Sequence, residues 1–499
     1  MNENSFDFFS DSELSQIMST IPPDDNITKS ISPWRKATRQ MLIGFALMAV
    51  VPQIFPLNII LPIAGSISMF LGFRSLRKEN RWFFFGFILS CIILGFRAVS
   101  IFLNSSIVPY TSESSAPFSA MALSSLLLIF LTSVSISAGI ITVKKKLDYT
   151  SSALSPFALV GIMALILFLA LINFTGALAF FVIIAYVLVF ICLIKLSKSL
   201  DEIGYSIKIA DVKNSDKTVV TICLGLAFLI SLTGYVFFSR YPMEWKPQVK
   251  NESAQLEEIK TKLLSLGFPE DVLSDLNDED ILDYEDAVYV DSDTTYQAFN
   301  NGRKVRRTSG NTTYIHTEYD EKEMQFTIVY ALINEEENEW KILHHFKWVI
   351  DNGYYATEGI SVDWPNDRYS FVTEDVSGRV LYDNNGITYI SPFFKEGNQV
   401  YSSNSIFNYG SVFDTYFAEF SYPLKGENKR GYATYSVRLN DSVISGNSCL
   451  NYAHNASPLQ YPVKSSVDIL KEWPTDNQSF KVRQHVGLID FSKHLIKSE

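Results

Sequence analysis

Side chains with catalytic or ligating chemistry gather in the second half of the chain, where all six histidines lie. His344 and His345 are adjacent, which at first suggests a metal site. Alternation along a strand separates them. His344 would share a face with Trp340, Ile342, Phe346 and Trp348, while His345 would point the other way between Lys341 and Lys347. The expectation is a core His344 and a surface His345, with no ion between them. The run Asn277-Asp-Glu-Asp280, with Asp283, Glu285 and Asp286, has the charge of a calcium loop but lacks its glycine and alternating ligands. It reads as solvated helix caps. No HExxH, paired Cys/His spacing, Walker lysine motif, GxGxxG or GxSxG is present, so the sequence assigns no catalytic residue, no metal ligand and no cofactor.

The first half offers a candidate of a different kind, because ionisable groups are costly inside a bilayer and mark either function or special packing. Arg97 lies in an apolar run about two turns from its end, where its long side chain either snorkels to the interface or forms a site for an anion or a partner. No Asp or Glu falls within an apolar core, which weighs against a carrier coupled to protons or cations through a membrane carboxylate.

These residues are positioned by two unlike halves. Up to Arg240 the chain carries 18 Lys and Arg against 13 Asp and Glu, leaving 24 against 40 for residues 241–499. The second half, at a net −16, repels phosphate backbones as a whole, so nucleic acid is not an expected partner. Only Cys449 of the four cysteines lies there, which excludes a disulfide within that half and leaves its stability to a packed core.

Apolar runs at about 41–54, 56–73, 82–103, 117–143, 156–174, 176–197 and 218–239 approach the roughly 20 residues that span a bilayer. Pro52, Pro56 and Pro62 leave the first two open to two readings, one kinked helix or a helical hairpin. Positive charge favours the hairpin: Arg35, Lys36 and Arg39 precede the pair and Arg74, Arg77, Lys78 and Arg81 follow it, so both flanks belong on the cytoplasmic side. Lys144 to Lys146 and the lysines from Lys195 to Lys217 belong there too, whereas residues 104–116 contain no Lys or Arg. The expectation is about seven crossings, a cytoplasmic N-terminus, and residues 241–499 outside. Trp34, Arg35, Arg74 and Arg77 would then act as cytoplasmic interface anchors.

The expected domains are a tail at 1–38, a transmembrane helical bundle at 39–240, a helical neck at 241–286 and a mainly antiparallel β domain, sandwich-like, at 287–499. In the neck, Leu256, Ile259, Leu263 and Leu266 recur at helical spacing after an N-cap candidate, Ser253. Beyond it, strand-like runs such as 326–332 and 431–437 are separated by turn signals at Asn301-Gly302, Asn352-Gly353 and Asn385-Gly386. The clearest hairpin is predicted at 379–390.

Ser32-Pro-Trp-Arg-Lys-Ala-Thr-Arg39 and Leu71-Gly-Phe-Arg-Ser-Leu-Arg-Lys-Glu-Asn-Arg-Trp-Phe83 resemble a multi-pass membrane family of anaerobic Gram-positive bacteria. Leu266-Gly-Phe-Pro-Glu-Asp-Val-Leu273, Asp278-Glu-Asp-Ile-Leu282, Asn451-Tyr-Ala-His and Leu459-Gln-Tyr-Pro-Val463 are similar to its outer half. The resemblance implies a bacterial cell-membrane location and no activity, since that family has no established site residues to carry over. The three-part layout suggests a non-catalytic envelope sensor or interaction protein, with the lipid bilayer, an envelope ligand and a cytoplasmic protein at residues 1–40 as partners. A transport or export component, and a glycan-binding or glycan-processing protein using the Tyr and Trp of the second half, are the alternatives.

Overall fold

A computed structural model of the protein describes residues 33–492 except 50, 52–55, 112–115, 147–153, 173, 175, 177, 202–207, 252, 300–301, 311, 320, 351–355, 364–369, 373–375, 403–411, 440–444, 458–459 and 472–478. Most of the expected tail, and the Asn352-Gly353 turn, lie outside the described residues. The chain divides into two compact units, one of Met1–Phe102 and Glu113–Ser231, the other of Leu103–Ser112 and Leu232–Glu499.

The helices of the first unit are α1 (Pro33–Ala49), α2 (Leu57–Leu76), α3 (Arg81–Asn104), α5 (Ala116–Lys146), α6 (Leu154–Leu171), α7 (Leu178–Asp201) and α8 (Asp216–Phe237), while the short α4 (Val108–Thr111) falls in the second. Among the described residues six helices, α2, α3 and α5 to α8, are long and apolar enough to cross a membrane. This corrects the expected seven. The 17 residues of α1 begin at Pro33, so its first two turns hold Arg35, Lys36, Arg39 and Gln40. The apolar remainder rises only about 14 Å at roughly 1.5 Å per residue, against about 30 Å of hydrocarbon.

α1 nonetheless lies antiparallel on α2, beginning at the end where α2 finishes and carrying the chain back toward the end where α2 starts. A Cβ on Gly44 would stand 2.4 Å from the Met69 nitrogen and 2.6 Å from the Gly65 oxygen, and one on Gly72 would stand 2.6 Å from the Ala37 oxygen. Backbone meets backbone along this seam, which only small residues permit. The first two apolar runs are therefore two packed helices rather than one kinked helix, with Pro62 inside α2. Elsewhere the bundle turns large apolar groups outward. Phe168, Phe180, Phe181, Leu188 and Phe228 are each more than half exposed, and Gly234 is the one buried residue of α8. Such continuous apolar surface belongs against lipid.

In the second unit α9 (Ala254–Leu266), α10 (Glu270–Asp275), α11 (Asp278–Leu282) and α12 (Ser466–Lys471) accompany fifteen strands among the described residues. These are β1 (Lys246–Pro247), β2 (Tyr289–Gln297), β3 (Gly302–Ser309), β4 (Thr312–Tyr319), β5 (Met324–Asn334), β6 (Glu339–Trp348), β7 (Glu358–Asp363), β8 (Ser370–Val372), β9 (Ser377–Asn384), β10 (Ile387–Pro392), β11 (Lys395–Ser402), β12 (Val412–Phe420), β13 (Glu427–Leu439), β14 (Ser445–Asn455) and β15 (Phe480–Asp490). They build an eight-stranded sheet in the order β1-β10-β9-β13-β6-β5-β2 with β8 on β13, a five-stranded sheet β11-β12-β7-β14-β15, and a separate β3-β4 ribbon. Every pairing is antiparallel.

Alternation produces the layers. One face of the large sheet (Phe326, Ile328, Trp340, Ile342, Phe346) and one of the smaller (Ile360, Val362, Phe420, Tyr452) share a single core, so the two sheets form a sandwich. Much of the opposite face of the large sheet is also covered. Val329, Ala331, Leu343 and Tyr432 pack under Leu256, Ile259, Leu263 and Val272 of the neck helices. On the far side α12 covers Phe417, Ala453 and Phe480. Ser253 accepts from the Leu256 amide to start α9, and Gly267 at φ 100° ends it. Asn384 pairs with Ile387 across Asn385 (φ 51°) and Gly386 (φ 78°), the left-handed pair that a two-residue hairpin turn requires.

Candidate functional site

The densest set of charges in the second unit lies between the large sheet and the neck. His345 of β6 and Arg430 of β13 both point away from the sandwich core and meet Asp275, the last residue of α10. The His345 Nε2 to Asp275 Oδ2 distance is 2.9 Å, and Arg430 Nε donates to Asp275 Oδ1 at 2.6 Å. Arg430 Nη1 also reaches Asp383 Oδ1 at 3.0 Å and the Asn428 carbonyl at 2.6 Å. Burial alone would raise the Asp275 carboxyl, but His345 and Arg430 outweigh it and leave it below the usual range. Nearby, Tyr432 donates to Asp280, Tyr284 and Thr434 lie hydroxyl to hydroxyl at 3.2 Å, and Lys341 pairs with Asp283.

Two expectations change here. His345 is fully buried rather than at the surface, because the face it points to is roofed by helices. The acidic run is not only a solvated cap, since Asp280 is buried and Asp283 holds a lysine of the sheet. Strand alternation gave the direction of His345 but not its cover. The available signal was the apolar stripe at Leu256, Ile259 and Leu263, which needs a surface to lie on.

A cleft of about 390 Å³ opens beside this network, lined by Gln248, Lys250, Ser274, Asp275, Thr388 and Arg430 among others. Its cations are committed: Lys250 donates to the Ser274 carbonyl at 2.7 Å, and Arg430 is held as above. The arrangement fastens the neck to the sheet.

A serine–histidine pair exists inside the sandwich. His344 Nε2 lies 2.6 Å from Ser448 Oγ, which lies 2.7 Å from the Tyr435 hydroxyl. All three are sealed in the core, and burial, with His485 nearby, pushes His344 down to about 3. A substrate has no route to it. His454 Nδ1 likewise stands 3.0 Å from both oxygens of Glu358, with both residues buried. No group of three or more His, Cys, Asp or Glu able to hold a metal occurs among the described residues.

In the helical unit the charges gather at one end. Arg74, 7% exposed in its side chain, donates to Asp216 Oδ1 at 2.6 Å, and Lys36 reaches Oδ2 at 2.7 Å. Glu79 takes Lys146 at 2.8 Å and the Lys208 amide at 2.5 Å, and Lys78 reaches Asp211 at 3.2 Å. The N-termini of α1, α3 and α8 and the C-termini of α2 and α5 are thereby joined. Trp34 is fully buried rather than facing a headgroup layer, its Nε1 donating to the Ser197 carbonyl at 3.1 Å. Arg74 is likewise internal. Arg77 lies 5.2 Å over the Phe87 ring, and Arg35 is half-buried on α1. Arg97 is half-buried on α3, with no carboxylate paired to it among the described residues.

The remaining built feature is a junction within the second unit. The end of α3 and residues 105–111 after it are packed within the second unit: the Val463 amide donates to the Asn104 carbonyl at 2.8 Å, and the Ile107 amide to the Phe238 carbonyl, just after α8, at 2.6 Å. Ile107, Tyr241 and Val463 form a small core, with Tyr241 stacked on Phe394 at 4.8 Å. Burial, with Asp468 and Glu419 adding to it, raises Tyr110 to about 12.

No family model matches the chain, and no curated protein matches it. Among solved structures, the manganese lipoxygenase of Gaeumannomyces graminis with partial zonadhesin of Komagataella pastoris gives a TM-score of 0.19 at 11% identity, over 39% of this chain and 56% of that one. The collagen-binding domain of a Staphylococcus aureus adhesin gives 0.17 at 11%, over 31% and 90%, and that of an Enterococcus faecalis surface protein 0.17 at 8%, over 39% and 99%. The chain thus spans about half the length of the first of these structures. Likeness at such TM-scores carries neither fold nor function across.

Proposed function

We propose that this chain is a multi-pass membrane protein whose β domain stands outside the cytoplasm, meets an envelope ligand or partner, and relays that contact through its helices to a cytoplasmic protein at the N-terminal tail. The observation that carries the reading is the double attachment of the β domain. Asn104 at the end of α3 accepts from the Val463 amide, and Tyr241, just after α8, donates its amide to the Ser421 hydroxyl. A passive anchor needs one covalent connection, whereas two helix ends fixed to one domain must shift together when that domain moves.

Orientation is supported by charge. The end of the bundle joined through Asp216, Glu79 and Asp211 carries Lys36, Arg74, Lys78 and Lys146, the side that basic residues mark as cytoplasmic. α1 starts at that same end and runs antiparallel along α2, and α8 runs from it to the opposite end before the β domain begins, so the tail and the β domain leave the bundle at opposite ends although only six helices among the described residues are of membrane length.

Two experiments test the proposal. In a version without its native cysteines, Leu424→Cys should react with a membrane-impermeant thiol reagent in intact cells and Lys145→Cys only after lysis; the reverse pattern would overturn the orientation. Affinity purification in mild detergent, with and without residues 1–30, should yield a soluble cytoplasmic partner lost with the tail. Recovery of ATPase or permease subunits irrespective of the tail would favour the transport reading.

A further inference from the structure

The β3-β4 ribbon is unlike the domain that carries it. Residues 302–319 hold Arg303, Lys304, Arg306 and Arg307 against Glu318, whereas the rest of the acidic half holds 20 Lys and Arg against 39 Asp and Glu. The ribbon pairs with neither sheet. No residue of either strand is buried, and Tyr314, Ile315 and Tyr319 are each more than 40% exposed. Two strands alone are marginal in water, so an arm exposed on both faces gains from being covered.

The register assigns the charges to faces. Arg303 lies opposite Glu318 and Arg307 opposite Tyr314, which places both guanidiniums on the face of Glu318, and each reaches that carboxylate. Lys304 opposite Thr317 and Arg306 opposite Ile315 occupy the other face, without a carboxylate partner among the described residues. At its base the arm is fixed by Arg483, which donates to the Tyr319 hydroxyl at 2.9 Å and lies 5.4 Å over its ring.

We infer that this ribbon is a docking arm for an extended, phosphate-bearing polyanion of the envelope. Cations on both faces suit a thin chain that wraps the arm; a flat lipid surface meets one face only. The strands rise about 27 Å along eight residues, several times the roughly 8 Å screening length at physiological salt, so much of the arm escapes the field of the acidic body. A globular acidic partner would bring that body into contact. Three of the four cations are arginines, whose planar forks match phosphate oxygens, and Thr308, Thr313 and Thr317 add neutral donors suited to an anion with several acceptor oxygens per charge.

The assignment rests on the reading of this domain as the ligand-meeting part of the chain, but binding by the solubilised full-length protein is independent of orientation and relay. The experiment measures affinity for long-chain polyphosphate against salt, for the wild type, Lys304→Gln/Arg306→Gln, and Lys425→Gln as a surface control. The wild type and control should bind alike. The double variant should bind at least about tenfold more weakly, with the slope of log affinity against log salt reduced by about two. No binding by the wild type, or equal loss in the control, would overturn the inference. So would tighter binding to anionic vesicles, poly-glutamate or a single-stranded oligonucleotide than to polyphosphate, or self-association lost in the double variant.

Discussion

His345 of β6 and Asp275 of α10 stand 2.9 Å apart, both sealed between the large sheet and the helices laid across it. Arg430 completes the group at 2.6 Å, so Asp275 bridges a buried imidazole and a buried guanidinium that Asp383 also holds at 3.0 Å. Asp275→Ala would leave the imidazole without a carboxylate and the guanidinium with Asp383 alone, at a cost of about 3 kcal/mol. The expected result is a lower unfolding midpoint together with faster amide exchange across residues 254–282. Unchanged exchange there would mean that the apolar contacts of the neck suffice.

Acid sensitivity should come from the other side of the same strand. The folded state holds His344 near 3, below its ordinary 6.5, so it stays neutral while the unfolded chain takes up a proton. The folded-state value is depressed, so the stability is fully present above about 6.5 and is lost as pH falls toward 3, by roughly 1.4 kcal/mol per pH unit. His485, also lowered by burial, acts in the same sense. Asp275 contributes only below about pH 4, where its unfolded form protonates. Urea unfolding followed by the emission of Trp340 and Trp348 should therefore weaken between pH 6 and 4, and His344→Gln should flatten that slope while keeping a partner for Ser448.

What the sequence made legible was local. Ser253, the Leu256-Ile259-Leu263 stripe and the Asn385-Gly386 turn each act within a few residues, and the structure holds the helix and the hairpin they specify. Which faces become buried is decided by elements far apart in the chain. Alternation set His344 against His345 but could not say that helices ending in Asp275, 70 residues earlier, roof the second. The sequence places Trp34 at an interface because Arg35 follows it, whereas its partner Ser197 lies 163 residues away. The basic flanks were plain, whereas the three acids that organise them, Glu79, Asp211 and Asp216, are single residues without a pattern. The seventh helix of membrane length fails on length, because the apolar part of α1 shares its 17 residues with two polar turns, even though α1 runs along α2.

The α1-α2 seam makes a steric prediction. Gly44→Ala would set a methyl 2.4 Å from a backbone nitrogen, which no rotamer change relieves. The helices must part, at a cost of about 1–3 kcal/mol. Gly95→Ala on α3 meets nothing within 4 Å and serves as the control. In detergent the first variant should melt lower and the second should match or exceed the wild type, since alanine favours a helix.

At the basic end, Asp216 is shared by two cations of different standing. Lys36 is 70% exposed in its side chain and Arg74 is 7% exposed. An exposed partner adds about 0–1 kcal/mol, whereas a buried guanidinium stripped of its carboxylate costs several. Lys36→Ala should therefore be close to silent and Asp216→Ala severe. Arg74→Met combined with Asp216→Ala should recover most of the loss, because the damage comes from the cation left behind rather than from the absent pair. A double variant as unstable as Asp216→Ala alone would assign the effect to Gln40, whose amide also reaches this carboxylate at 3.3 Å, or to the start of α8. Thermal melts of the wild type, Arg74→Met, Asp216→Ala and the double variant in one detergent close the cycle, and the coupling between positions 74 and 216 is read directly from them.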